Sequence, residues 1–304
     1  MSMSRLPAWV AGFAFFFAFD CNATEGWYRD PALHGDTVVF TAEGDLWRVP
    51  AQGGLAQRLT THPAEEAQAA LSPDGRTLAF VASYDGAPEV YAMPLAGGPP
   101  KRLSFENARV WVQGFAPDGR VVYASEATVG PSWMRVLRLV DPLSGLTETL
   151  PLADAREAAF DAEAGLLYFT RFGLAVTHDN ARDYAGGAAA QLWRWRLGSR
   201  EEAEQLQPAG IREPQRPLLG AEGLVLLGEH AGRVNLWRWS GQGAAEALTR
   251  HADFDVRRPS LHGGRVVYQH GADLRLLDLV TGSDARIPIT LSSDLVQSRE
   301  RQLG

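Results

Sequence analysis

The chain has 304 residues, 45% of them hydrophobic, with 31 glycines and 18 prolines, which is enough for a sizeable core built from many short strands and turns. A formal charge of −7 argues against nucleic-acid binding, which needs a basic footprint. A single cysteine, Cys21, excludes an intramolecular disulfide and a cysteine-based zinc site.

Residues 1–23 differ in composition from the rest. One basic residue, Arg5, precedes a phenylalanine-rich apolar run over 6–19, and the stretch ends on the small residue Ala23. This has the form of a secretory leader and is too short to read as a membrane span. The expectation is export to the periplasm or the extracellular space, with no membrane association after leader removal. A spurious start codon would leave the chain cytoplasmic. A lipid anchor at Cys21 is disfavoured by Asp20 before it.

From residue 27 one pattern recurs, and it is clearest over 71–103. Ser72-Pro73-Asp74-Gly75 is turn chemistry: proline presets φ, aspartate bonds its own backbone, and glycine takes a positive φ. Residues 77–82 (TLAFVA) read as a buried strand, 83–86 as a turn, 89–93 (EVYAM) as a second strand, and 101–103 as the start of a third. An anchor on that second strand, an aliphatic residue before an aromatic or arginine, returns at Leu46-Trp47, Val90-Tyr91, Leu137-Arg138, Leu192-Trp193, Leu236-Trp237 and Leu274-Arg275. An apolar strand and a turn signal precede each anchor, and a leucine or isoleucine, thrice as Leu-Thr or Leu-Ser, follows it. Six units at such a period, each of about four strands, predict an all-β chain. The expected fold is a six-bladed β-propeller of four-stranded antiparallel blades over 27–290. The fourth unit carries an insertion at 173–190, and 291–304 is a polar tail, read as the start of a connection to further domains.

Chemistry is sparse. There is no nucleophile elbow, HExxH motif or phosphate loop. The histidines at 34, 62, 178, 230, 251, 262 and 270 show no metal-ligand spacing, and Asp253-Phe254-Asp255 lacks the later glycine and glutamate of a calcium loop. No metal, cofactor or catalytic residue is expected. Trp193 and Trp195 share a strand face, as do Trp237 and Trp239; packing between blades is the plain reading. Arg109, Arg182, Arg257 and Arg258 fall in connecting loops or beside the insertion. Converging on one mouth of a central channel, they would hold the carboxylate end of a peptide through charge-assisted pairs. The inner strands read as apolar, against the clustered carboxylates that a propeller glycosidase or lactonase would need.

The unit at 71–103 resembles the repeat shared by the TolB and tricorn protease families. Tyr184-Ala185-Gly186-Gly187 before Gln191-Leu192-Trp193, then Gly232-Arg233-Val234-Asn235-Leu236-Trp237, then residues 248–257 (LTRHADFDVR), are similar to tricorn in particular. The resemblance spans roughly residues 27–296. It implies the N-terminal propeller of a tricorn-like serine peptidase, with a second propeller, a PDZ-like domain and a Ser–His–Ser–Glu peptidase core in the same or a separate chain. It further implies oligopeptide substrates, a hexameric assembly, a substrate-gating role for the propeller, and blades without a strand swap to close the ring. Tyr184 in the insertion joins the four arginines as a peptide-contact candidate. No position in this sequence matches the family's catalytic serine or histidine, so the chain alone is expected to be inactive. The alternative is a non-catalytic, TolB-like protein-interaction propeller.

Overall fold

In the computed structural model, residues 27–128, 134–172 and 186–293 are described. The predicted leader, Arg182 and Tyr184 of the insertion, and nearly all of the predicted tail lie outside them.

Every regular element among the described residues is a β-strand. Blade 1 contains β1 (Arg29–His34), β2 (Thr37–Ala42), β3 (Asp45–Pro50) and β5 (Gln57–Arg58), with β4 (Gly54–Leu55) set aside from its sheet. Blade 2 is β6 (Glu66–Leu71), β7 (Thr77–Ala82), β8 (Glu89–Pro94) and β9 (Lys101–Arg102). Blade 3 is β10 (Val110–Phe115), β11 (Val121–Ser125), β12 (Val136–Val140) and β13 (Thr147–Thr149). Blade 4 is β14 (Ala158–Asp161), β15 (Leu166–Arg171), β16 (Gln191–Arg196) and β17 (Glu204–Leu206). Blade 5 is β18 (Arg212–Gly220), β19 (Gly223–His230), β20 (Arg233–Trp239) and β21 (Glu246–Ala247). Blade 6 is β22 (Val256–His262), β23 (Arg265–His270), β24 (Asp273–Asp278) and β25 (Asp284–Arg286), and β26 (Ile289–Thr290) follows. The fold is the six-bladed propeller of antiparallel four-stranded sheets that the repeats imply.

The apolar runs in the sequence are the second strands of the blades. Each is covered on both faces by neighbouring blades, so the alternation of a half-exposed strand disappears: Val38, Val39 and Phe40 on β2, and Leu78, Ala79 and Phe80 on β7, are all buried. Six apolar clusters fill the six blade boundaries. Trp47, Trp195 and Trp239 are buried in three of them, in the packing role the sequence suggests. The anchors, counted as second strands in the sequence, are third strands, because an innermost strand precedes each turn.

The Leu-Thr and Leu-Ser signals have a common task. The anchor amides of Leu46, Val90 and Leu236 donate to Thr60 Oγ1, Ser104 Oγ and Thr249 Oγ1 at 2.8, 2.8 and 3.0 Å, tying the outer strand's end to the third strand's start. Thr249 in turn donates to Asn235 Oδ1 at 2.8 Å, and Ser104 donates to Glu89. In blade 1 the corresponding hydroxyl, Thr60, donates to Glu66 Oε2 at 3.1 Å. Burial pushes the Glu66 carboxyl up to about 7, against the pull of its bonds from Tyr84 and Thr60.

Each blade is built from strands that follow one another in the chain, β4 alone being skipped in blade 1, with no exchange between first and last among the described residues. The ring closes by contacts instead. Tyr28 N donates to Ala272 O at 3.0 Å, Leu33 N to Ser260 Oγ at 3.0 Å and Gly35 N to His262 Nδ1 at 3.0 Å. Outside the blades, β26 pairs parallel with β4 as a two-stranded clasp. Ile287 and Ile289 bury their side chains beside Ala51, Ala56 and Trp47 under it.

Candidate functional site: a polar belt around the axial channel

The six innermost strands, β1, β6, β10, β14, β18 and β22, surround a cavity of about 300 Å³ on the propeller axis. Four of them carry a bulge where a non-glycine residue takes the left-handed conformation: Asp30 (φ 48°), Gln68 (φ 58°), Arg216 (φ 49°) and Arg258 (φ 50°). In β10 the bulge falls at Gln113, next to Gly114. Blade 4 has no bulge, and Glu157 stands immediately before β14. A bulge shifts the alternation by one residue and re-aims a side chain. Here Asp30, Gln68, Gln113, Arg216 and Arg258 all come to line the channel, which corrects the reading of the inner strands as apolar.

These side chains form a belt. Arg258 Nε lies 3.0 Å from Asp30 Oδ1, across the boundary between the last and first blades. Arg216 Nε lies 3.0 Å from Glu157 Oε1, its amide donates to Glu157 Oε2 at 2.6 Å, and its Nη1 donates to Gln113 Oε1 at 3.4 Å. One arginine therefore spans three blades. Burial, with Arg216 nearby, pushes the Arg258 guanidinium down to about 10.

On the face where β18 and β22 begin, the channel widens into a second cavity of about 570 Å³ that shares Gln113, Arg216 and Arg258. Arg135, Arg156 and Arg257 add further cations, balanced by carboxylates that include Glu213 and Asp255. Arg135 stacks on Trp111 with its guanidinium carbon 3.4 Å from the ring centroid. Its guanidinium is pushed down to about 10 by burial and then by Arg156, while burial raises the Glu213 carboxyl.

Among the candidate residues, Arg257 and Arg258 meet at this mouth, on strand β22 and not in a connecting loop. Arg109 is exposed, pairs with Glu126 at 3.0 Å and does not line either cavity. Sequence reading missed Asp30, Gln68, Gln113, Glu157 and Arg216. Their signal was a polar residue two places before a small or apolar one ahead of each turn, as in Asp30-Pro31-Ala32 and Arg258-Pro259-Ser260.

A closed ring of consecutively built blades around a charged axial passage defines a channel-bearing propeller. The model of the tricorn protease N-terminal beta propeller domain matches residues 25–283, and the chain belongs to that family. Tricorn protease homolog 1 of Streptomyces coelicolor is 32% identical over 273 residues, covering 87% of this chain and 25% of that protein. The crystal structure of the tricorn protease aligns with a TM-score of 0.77 at 20% identity, over 88% of this chain and 27% of that one. TolB from Acinetobacter baumannii aligns at 0.59 and 16% identity, over 86% and 63%, which is a likeness of fold. The chain spans about a quarter of the length of the first curated relatives it matches.

Proposed function

We propose that this propeller is the substrate-gating, peptide-conducting module of a tricorn-like serine peptidase. Oligopeptides enter the channel, and the arginines at its mouth hold the terminal carboxylate. The observation that carries this reading is the strained belt. A non-glycine residue in left-handed backbone costs on the order of 1–3 kcal/mol, and such strain concentrates at functional sites. Four such residues encircle this one passage, each presenting a polar side chain. Arg257 and Arg258 line a cavity in which a carboxylate would meet guanidinium groups, and such charge-assisted pairs are roughly twice as strong as neutral ones. Hydrolysis belongs to a peptidase core in the same or a separate chain, within an oligomer. The composition of residues 1–23 supports assembly outside the cytoplasm.

The test is fluorescence anisotropy with labelled oligopeptides that end in a free carboxylate or an amide. Free-carboxylate peptides should bind at least tenfold more tightly than amidated ones, and Arg257→Glu with Arg258→Glu should abolish that preference. Unchanged binding of the free-carboxylate peptide by the double variant would overturn the proposal. A propeller that ignores peptides but retains a folded protein would be a TolB-like interaction module instead.

A further inference from the structure

The loop leading into β22 holds a cluster unrelated to the belt. His251 and Asp253 lie in that loop, and His270 ends β23, paired in register with Val256 at the start of β22. One donor atom from each of the three residues lies within 4.8 Å of the other two. His270 Nε2 stands 3.0 Å from Asp253 Oδ1, and the two imidazole rings pack with centroids 3.9 Å apart and planes 32° apart. Both histidines are mostly buried, whereas Asp253 is exposed.

The surroundings fix the state of His251. Tyr268 has a single hydroxyl proton and donates it to Asp284 Oδ2 at 2.7 Å. The contact of 2.9 Å between His251 Nε2 and the Tyr268 oxygen therefore needs the proton on Nε2, which leaves Nδ1 as the basic nitrogen. Asp284 is held in turn by Arg275 Nε at 3.0 Å. An imidazole that donates one nitrogen into a hydroxyl–carboxylate relay and keeps the other free has the outer support typical of a metal-ligating histidine.

We propose that His251, Asp253 and His270 bind a first-row divalent cation of the zinc class. Two imidazoles and a carboxylate suit zinc, nickel or copper; calcium and magnesium prefer oxygen donors alone. Tetrahedral zinc with ligand bonds of about 2.0–2.1 Å sets neighbouring donors about 3.3 Å apart. The His270–Asp253 separation is already close to that, and the cation takes the place of the proton they share. The two rings now lie face to face, 32° from parallel, so binding turns one imidazole until both lone pairs meet at the ion, and the exposed Asp253 swings to close the third side. Water completes the coordination. The bound ion staples the 251–255 loop to β23, immediately before Arg257 and Arg258.

The test uses the full chain without a polyhistidine tag, with zinc chloride in isothermal titration and cobalt chloride in visible absorption. Wild type should bind one equivalent of zinc and give a cobalt spectrum with imidazole ligation. His270→Ala should abolish both signals. Asp253→Asn, a change at an exposed turn position, should weaken binding at least tenfold. Tyr268→Phe should weaken it roughly 10–100-fold, the usual effect of removing an outer support. His230→Ala, on another blade, should leave it unchanged. Absence of zinc binding by folded wild type, or equal affinity in wild type, His270→Ala and Asp253→Asn, would overturn the proposal.

Discussion

The clasp between β26 and β4 should govern how firmly the ring stays shut, and Gly53 is the point at which to test it. This glycine has φ +93°, and a Cβ added there would sit 2.4 Å from Pro288 O and 2.6 Å from the proline ring. Gly53→Ala therefore either strains the backbone, by about 1–3 kcal/mol, or expels the segment carrying β26. Expulsion loses the bonds from Gly54 N to Pro288 O (2.8 Å) and Ala56 N to Thr290 O (2.9 Å). Those are worth about 0.5–1.5 kcal/mol each. It also uncovers Ile289, now 7% exposed, for a further ~1.5–3 kcal/mol. Expulsion thus costs about 2.5–6 kcal/mol of local stability. Ile289→Ala should cost a similar ~2–5 kcal/mol as a cavity in the same cluster. Because both changes attack one contact, the double variant should fall short of the sum by at least about 1 kcal/mol. Native-state hydrogen exchange reads this directly. The Gly54 and Ala56 amides should lose protection at least tenfold in either single variant, while the Leu46 and Val90 amides deep in blades 1 and 2 keep theirs. Unaltered protection at Gly54 and Ala56, or strict additivity, would mean that the clasp does not hold the ring shut.

Glu66 makes stability depend on pH. Its carboxyl titrates near 4.5 when unfolded and near 7 when folded, so folding favours the protonated form. Its contribution is fully present below about pH 4.5 and is lost as pH rises through 7. Glu66→Gln should therefore gain on wild type between pH 5 and pH 8 by about 2–3 kcal/mol in urea denaturation, and a flat difference would refute the assignment. In the belt, Arg216→Ala strips Glu157 of its cation and should destabilise by about 1–3 kcal/mol. Adding Glu157→Gln should recover part of that loss, with a coupling of at least about 0.5 kcal/mol in the double-mutant cycle.

The blades were legible because their signals are local. A turn such as Ser72-Pro73-Asp74-Gly75 has one inexpensive conformation, realised with Gly75 N bonded to Ser72 O at 2.8 Å and with φ +70° at Gly75. Strands covered on both faces need unbroken apolar runs, and Leu78-Ala79-Phe80 supplies one. The belt was hidden by the same physics. Its strands change faces at a bulge, so β6 (EAQAAL) shows neither a clean alternation nor an apolar run. Arg257 and Arg258 stood out as charges, yet nothing adjacent to them in sequence reveals a strand with Asp30 opposite. The histidine cluster was invisible because His270 joins His251 and Asp253 only through the pairing of β22 with β23.

Each belt side chain hangs from a bulge or a strand end, outside the six apolar clusters that hold the blades together. Replacing one alters the passage and leaves those clusters in place. On the gating role proposed above, the belt is a combination lock: six positions scattered along the gene, each reset by one codon, would together decide what the aperture admits. Two pairs of wheels turn jointly, Arg258 with Asp30 and Arg216 with Glu157, because a change in one leaves a charge that the other must answer. The repeat unit can therefore be copied faithfully for its architecture while the passage diverges, and rings of closely similar build can differ widely in the charge and shape of what lines their axis.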